Sequence, residues 1–403
     1  MLKKKISVAE LEFGMYVAEL DRPWLGTPFV YQGFHITSDD QVEALKKHCQ
    51  SVFIDAEREL KSNNAGSPGA QTELVRGSAV YKEETPVEQE LAVAREIYSA
   101  CEESVQTSFE LLRSTGELDP QPLSVAVGSM TRSIERNPDA MMLLYRIKQK
   151  GGAAFNRAVD TSIHMITFGR FLQFPPDRLE LLGLAGLLLD IGMLKVPDAI
   201  LHKRHTLTQD EFELTKAHVT HSVEIIRASR GLLSGVDDIV LQHHERQDGS
   251  GYPRGLRNRQ ITIDGAIAGL VDSYSALTSK RAFADQESPS NALSKFYKLR
   301  GTLFHEALVE QFIQCLGIYP VGSMVELNTG EVAIVIAQNL VRRLQPRVMI
   351  VFDRAQNPIW PQVVLDLTKG PKANTDEPYR ILRTLPRDKL PIDPKQFFLD
   401  VAD

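Results

Sequence analysis

The sequence has few cysteines, no long apolar run and no excess of basic residues, and each shortage excludes something. Its cysteines are Cys49, Cys101 and Cys315, three in 403 residues and far apart. They form neither a zinc-ligand spacing nor a disulfide framework, which suits a reducing, cytoplasmic setting. No apolar run reaches the ~18 residues that a membrane-spanning helix needs. The longest apolar tract, around Leu181–Leu189, contains glycines and ends at Asp190. Met1 to Ile6 is basic, but no apolar segment of the kind found in leader peptides follows, so no secretory signal is expected. Lys and Arg number 46 against 52 Asp and Glu, a net charge of −6. That balance gives no sign of a nucleic-acid polymer as partner. It leaves room for a phosphate ligand, because a bound metal ion can reverse the local field.

Apolar residues make up 43% and charged residues 24%, an ordinary globular composition. The length is more than one hydrophobic core usually serves, so two or three domains are expected. Residues 1–57 read as a small β-containing domain, with short runs at Met15–Ala18, Phe29–Tyr31 and Val52–Ile54 and a short helix at Gln41–His48. Residues 58–87 are poor in apolar side chains and rich in Asn, Gly, Ser and Pro, and read as a linker. From residue 88 the period changes. Leu91, Ala94, Ile97, Cys101, Val105, Phe109 and Leu112 recur every three or four positions, the stripe of an amphipathic helix. The stripe reads first as intramolecular core and second as the seam of a homodimer. Helical patterning continues to about residue 318. Residues 319–403 then read as a β-rich tail, with strands at Met324–Leu327, Val332–Ile336 and Val348–Phe352 and a hairpin turn at Asn328-Thr329-Gly330.

Histidine and aspartate are concentrated in the helical region. Asp160 and His164 are four apart and share a helix face. Asp190 ends the apolar tract. His218 and His221 lie on one predicted helix, His243-His244 close another, and Asp272 sits among apolar neighbours. Each has a plain reading: a histidine on an apolar face is most often a hydrogen-bonded core residue, and an aspartate can cap a helix. His202, His205 and His221 are read in that way. The coincidence of five separate places with ligand chemistry favours a metal site. Imidazole with carboxylate suits Fe, Mn, Zn, Ni or Co. Adjacent histidines on a regular helix point about 100° apart, so one ion there needs partners from elsewhere, and Asp190, His218 and Asp272 are available.

The segment His243-His244-Glu245 followed by Asp248-Gly249-Ser250-Gly251-Tyr252-Pro253 resembles the signature of the HD-GYP family of bacterial cyclic di-GMP phosphodiesterases. Lys216-Ala217-His218 and the stretch Val271–Ser279 resemble two further family segments, and the likeness runs from about His164 to Ala284. The resemblance implies a mainly α fold: an all-helical HD-type metal-binding core with a small N-terminal β-containing domain and a small C-terminal β-rich tail. It implies one or two divalent transition ions, Fe, Mn or similar. Asp160, His164, Asp190, His218, His243, His244 and Asp272 would be their ligands, with Asp190 central to catalysis. It further implies hydrolysis of cyclic di-GMP to the linear dinucleotide or GMP, a phosphate contact from Arg281, and docking of diguanylate cyclase domains on the Gly251-Tyr252-Pro253 loop.

The likeness breaks in places. The dyad that gives the family half its name reads Leu189-Asp190 here, and leucine cannot coordinate a metal. Phosphate-contacting lysines are replaced by Met193 and Ala284, and an aspartate by Ser275; Lys195 lies near Met193 but would point elsewhere. Three readings follow: an active but impaired phosphodiesterase, a degenerate receptor that binds metal and dinucleotide, and a cyclase-interaction module.

Overall fold

The computed structural model describes residues 3–12, 15–22, 34–36, 39–55, 74–148, 154–201, 203, 205–279, 287–372 and 377–385. The expected strand at Phe29–Tyr31, most of the expected linker, His202, Arg281 and Ala284 lie outside them. The chain divides into two units, Met1–Glu73 and Leu74–Asp403.

The first unit is an antiparallel sheet with strand order β1-β4-β2-β3 and one helix. Its elements are β1 (Lys3–Ser7), β2 (Tyr16–Leu20), β3 (Phe34–His35), α1 (Asp39–His48) and β4 (Ser51–Asp55). Ile6, Val17, Leu20, Ile36, Leu45, Cys49, Val52 and Ile54 form its core. The Asp21 carboxylate accepts the backbone N–H groups of Gln50 at 2.7 Å and Ser51 at 2.8 Å, fastening the end of β2 to the start of β4. Strand β1 was not expected: its run of lysines hides the buried Ile6.

The second unit is mainly helical. It begins with α2 (Val87–Thr115), α3 (Gln121–Arg136), α4 (Pro138–Lys148), α5 (Ala154–Phe171) and α6 (Pro176–Leu188). Then come α7 (Asp198–Leu201), α8 (Gln209–Lys216), α9 (His218–Ala228), α10 (Val236–Gln242), α11 (Ile263–Thr278), α12 (Pro289–Leu299) and α13 (Glu306–Leu316). The buried stripe of α2 runs through Ala94, Tyr98, Cys101, Val105, Phe109 and Leu112. Leu91 and Ile97 are only partly buried, and Tyr98 takes the core position between them and Cys101. Glu90, buried on the same helix, accepts from Arg136 at 2.7 and 2.8 Å and from the Ser133 hydroxyl, tying α2 to α3.

The glycines of the apolar tract have a packing reason. A Cβ on Gly186 would lie 2.7 Å from the Ser162 Cα, and one on Gly183 2.7 Å from Val127 and 2.8 Å from Ile166. Helix α6 therefore presses against α5, with leucines filling the remaining space, and its end delivers Asp190 beside α5.

The C-terminal strands are β5 (Met324–Leu327), β6 (Val332–Ala337), β7 (Arg347–Phe352), β8 (Pro358–Asp366) and β9 (Ile381–Leu385), in the antiparallel order β8-β7-β6-β5-β9. Gly330, with φ of 94°, makes the turn from β5 to β6, and its N–H donates to Leu327 O at 2.9 Å. The sheet meets the helices at Asp139, whose buried carboxylate accepts Gln338 N–H at 2.9 Å.

Burial pushes the Asp139 carboxyl up to about 7, with the Gln338 bond opposing. In an unfolded chain the group titrates near 3.9. The folded state thus holds the extra proton between these values, and stability falls as pH rises through that window, by up to ~1.4 kcal/mol per pH unit. Asp139→Asn is expected to flatten that slope. Thermal melts at several pH values between 4 and 8 check this; an unchanged slope would count against it.

Candidate metal centre

Four of the anticipated residues meet. Ligand atoms of Asp190, His218, His243 and His244 all lie within 4.8 Å of one another. Local structure accounts for each placement. Asp190 leaves α6 and opens a tight turn over Ile191–Lys195. Ser222 on α9 clamps that turn: its hydroxyl donates to Leu189 O at 2.9 Å and accepts Gly192 N–H at 2.8 Å. Gly192 is required by close approach, since a Cβ there would lie 2.1 Å from His218 O. Thr208 caps α8, its hydroxyl accepting Glu211 N–H while the Glu211 carboxylate accepts Thr208 N–H. The chain then turns at Ala217 into α9, so His218 stands at a corner with its Nδ1 2.7 Å from Thr215 O.

His243 follows the last residue of α10, and its Nδ1 lies 2.6 Å from Val240 O. Because the helix has ended, His243 and His244 need not diverge as they would within it. Their ring centroids are 4.1 Å apart. His244 stacks on Tyr252 at 4.6 Å.

The electrostatics call for a cation. With Nδ1 of His218 and of His243 each donating to a backbone carbonyl, the Nε2 atoms carry lone pairs. Those Nε2 atoms face each other at 3.4 Å, and His218 Nε2 is 3.3 Å from Asp190 Oδ1. Two lone pairs and a carboxylate oxygen at that range need a proton or a metal ion among them. Burial alone would lower the His218 pKa, but the bond to Asp190 and its charge outweigh burial and raise it. His243 is fully buried, and burial lowers its pKa; burial and the His243 charge lower that of His244. Burial would raise the Asp190 carboxyl, but Arg157 and the two imidazoles hold it well below the usual carboxylate range. The donor set of three imidazoles and one carboxylate fits a divalent transition ion.

Asp272 on α11 is buried and sits across from Asp190, with Arg157 between them. Arg157 Nη2 is 2.5 Å from Asp272 Oδ1 and 3.2 Å from Asp190 Oδ2. Sequence reasoning did not single out Arg157. The available signal was its position on α5 seven residues before His164, hence on nearly the same helix face.

Asp160 and His164 are not brought to this cluster. His164 lies about 10.5 Å further along α5 than Arg157 at the helical rise. There its ring meets Tyr145 and Tyr274 edge-on, at 4.8 and 5.5 Å. Its Nδ1 bonds to Asp160 O at 2.8 Å, and its Nε2 has no hydrogen-bond partner among the described residues. Burial and the Arg146 charge push His164 down to about 3, leaving the imidazole neutral. Burial raises the Asp160 carboxyl well above its usual range against the Tyr98 hydroxyl, which donates to it at 3.2 Å. Both are part of an aromatic core. His221 faces Glu224 at 3.4 Å, away from the cluster, and exposed Lys195 pairs with the same glutamate.

Glu245 is the fastener of the loop that follows. Its buried carboxylate accepts Arg254 N–H at 2.7 Å and Leu256 N–H at 2.9 Å. Asp248 accepts the Ser250 N–H and hydroxyl, and Gly251 approaches so closely that a Cβ would lie 2.4 Å from His244 O. The Gly251-Tyr252-Pro253 loop is thereby held against the two histidines, with Tyr252 on His244. Glu245→Ala is expected to cost about 1–3 kcal/mol, the scale of buried bonds to a charged acceptor. Urea denaturation measures that loss, and hydrogen exchange at the Arg254 and Leu256 amides shows whether the loop loosens first.

Comparisons with known proteins agree with this architecture. Residues 145–308 match the family described as HD domain, and residues 3–123 match a domain of unknown function (DUF3391). A cyclic di-GMP phosphodiesterase of Pseudomonas aeruginosa is 32% identical over 372 residues, 91% of this chain and 89% of the relative. A cyclic di-GMP phosphodiesterase of Thermotoga maritima is 40% identical over 126 residues, 31% of this chain and 34% of the relative. A 3'3'-cGAMP-specific phosphodiesterase of Vibrio cholerae is 35% identical over 126 residues, 31% of this chain and 24% of the relative. With a relative at that identity matched over nearly its whole length, and with the HHE and GYP segments assembled around one cluster, the chain belongs to the HD-GYP family of bacterial cyclic di-GMP phosphodiesterases.

Proposed function

We propose that this chain is a cyclic di-GMP signalling protein that hydrolyses the dinucleotide slowly, using a divalent Fe or Mn ion held by Asp190, His218, His243 and His244. The observation that carries the reading is the convergence of these four side chains within 4.8 Å. When bound, such an ion supplies an activated water and offsets charge on a phosphoryl oxygen. The chain's own residues do the rest. The carbonyls of Thr215 and Val240 fix the imidazole tautomers of His218 and His243. Asp190 remains ionised and presents one oxygen to them. The Arg157 side chain, a third exposed, places a fixed positive charge beside the site where a phosphate would approach. Slow turnover is expected because Leu189 and Met193 supply neither a ligand nor a phosphate contact.

A second reading, a receptor that binds the dinucleotide without cleaving it, is favoured by Leu189 and by Arg157 lying between the two aspartates. Docking of a cyclase domain on the Gly251-Tyr252-Pro253 loop is compatible with either, since Glu245 pins the backbone while Pro253 and Arg254 stay exposed.

Turnover of cyclic di-GMP by protein loaded anaerobically with Fe(II) or Mn(II) tests the proposal, with 3'3'-cGAMP as the competing substrate and product separation by chromatography. Slow cleavage of cyclic di-GMP that disappears in His243→Ala supports it. Binding without cleavage selects the receptor, and preference for 3'3'-cGAMP corrects the substrate.

A further inference from the structure

We infer that Arg157 is a built-in cation that makes this centre mononuclear: it fills the place beside the imidazole cluster where a second metal ion would sit. The inference rests on the reading that Asp190, His218, His243 and His244 hold the first ion.

The argument begins with Asp190, whose carboxylate is used on both sides. Oδ1 faces His218 Nε2 at 3.3 Å and His243 Nε2 at 3.9 Å. Oδ2 faces Arg157 Nη2 at 3.2 Å. The same Nη2 lies 2.5 Å from Oδ1 of Asp272, which is only 3% exposed. Two carboxylates sharing one largely buried place need a positive charge between them, because an uncompensated buried charge is costly. In a site with a ligand in place of Leu189, a metal ion could serve. Here Leu189 offers no donor, and Arg157 supplies the charge instead. Its guanidinium is planar and permanently protonated, so it can reach both carboxylates at once.

The leucine at 189 and the arginine at 157 therefore fit together. A missing ligand would leave Asp272 and half of Asp190 unpaired, and the arginine on the facing helix answers both. A second divalent ion would have to displace a guanidinium that cannot give up its proton. The imidazole side of Asp190 remains open to one ion, whose net effect on a phosphate is joined by a fixed cation rather than by a second metal.

The test is metal stoichiometry with Mn(II) as the probe. Full-length protein is equilibrated with excess Mn(II), desalted, and measured by elemental analysis and by electron paramagnetic resonance. One Mn(II) per chain with the six-line signal of an isolated ion is expected. Arg157→Gln should raise uptake above one per chain at high Mn(II) and broaden the signal through coupling between neighbouring ions. Arg157→Lys, which keeps the charge, should stay at one. Two ions in the unaltered chain would overturn the inference, and so would a single ion in a folded Arg157→Gln variant. No bound ion in folded protein would instead sink the reading of the imidazole cluster itself, and this inference with it. If Arg157→Gln does not fold, the count in the unaltered chain still decides between one ion and two.

Discussion

His243→Ala is expected to lower affinity for a divalent transition ion by at least about 100-fold, beyond the effect of losing an outer partner of a ligand. The residue is fully buried, its Nδ1 is committed to Val240 O, and its Nε2 points at His218 and Asp190. Alanine removes one of the four candidate ligand atoms and puts no donor in its place. Where the ion binds the native state alone, the lost affinity also appears as lost stability, by up to about 2.7 kcal/mol for a metal concentration that was 100 times its Kd. Titration calorimetry of both proteins, with and without chelator, measures the two effects together. Equal affinity in the variant would mean that ions bind elsewhere on the chain.

Gly192→Ala should be among the most damaging small substitutions in the helical unit. The added carbon would lie 2.1 Å from His218 O and 2.5 Å from Ser222 N, both backbone atoms of α9. Neither can step aside without shifting the helix. Interiors this dense do not absorb a methyl group, and the expected cost is about 3 kcal/mol or more, the upper end for overpacking. The same shift pulls Ser222 off the turn and Asp190 away from His218, so metal affinity should fall along with stability. A variant that melts normally and still binds an ion would show that the turn and α9 are not rigidly joined. Chemical denaturation and a metal titration, run on the same preparation, separate the two consequences.

The parts of the site that the sequence announced are those set by short-range chemistry. Adjacent histidines followed by a glycine-rich loop, and an aspartate at the end of an apolar tract, are visible because few other roles need them. Asp160 and His164 show what spacing leaves out. Four-residue spacing does put them together, and His164 bonds to the carbonyl of Asp160. It says nothing of what that face meets, and at that height along α5 it meets tyrosines. Arg157 went unread for the complementary reason: a charged residue near the start of a helix ordinarily faces water, and only the tertiary approach of α5 to Asp190 and Asp272 gives it a partner. Ser222 is likewise ordinary in sequence, and Glu245 is read there only as part of the His243-His244-Glu245 segment. Their work consists of bonds to backbone groups, which no side-chain pattern records. At the level of fold, the helical core and both β-containing ends were legible from periodicity, while β1 was masked by lysines and the stripe of α2 was read slightly out of register.

The central claim is that one ion binds among Asp190, His218, His243 and His244. The most direct measurement is anomalous diffraction from crystals of the full chain grown with Mn(II). A single peak within about 2.0–2.3 Å of those four side chains, the usual range for nitrogen and carboxylate ligands, is the result expected. A peak between Asp190 and Asp272, with Arg157 displaced, or no peak at the imidazoles in metal-containing crystals, would contradict it.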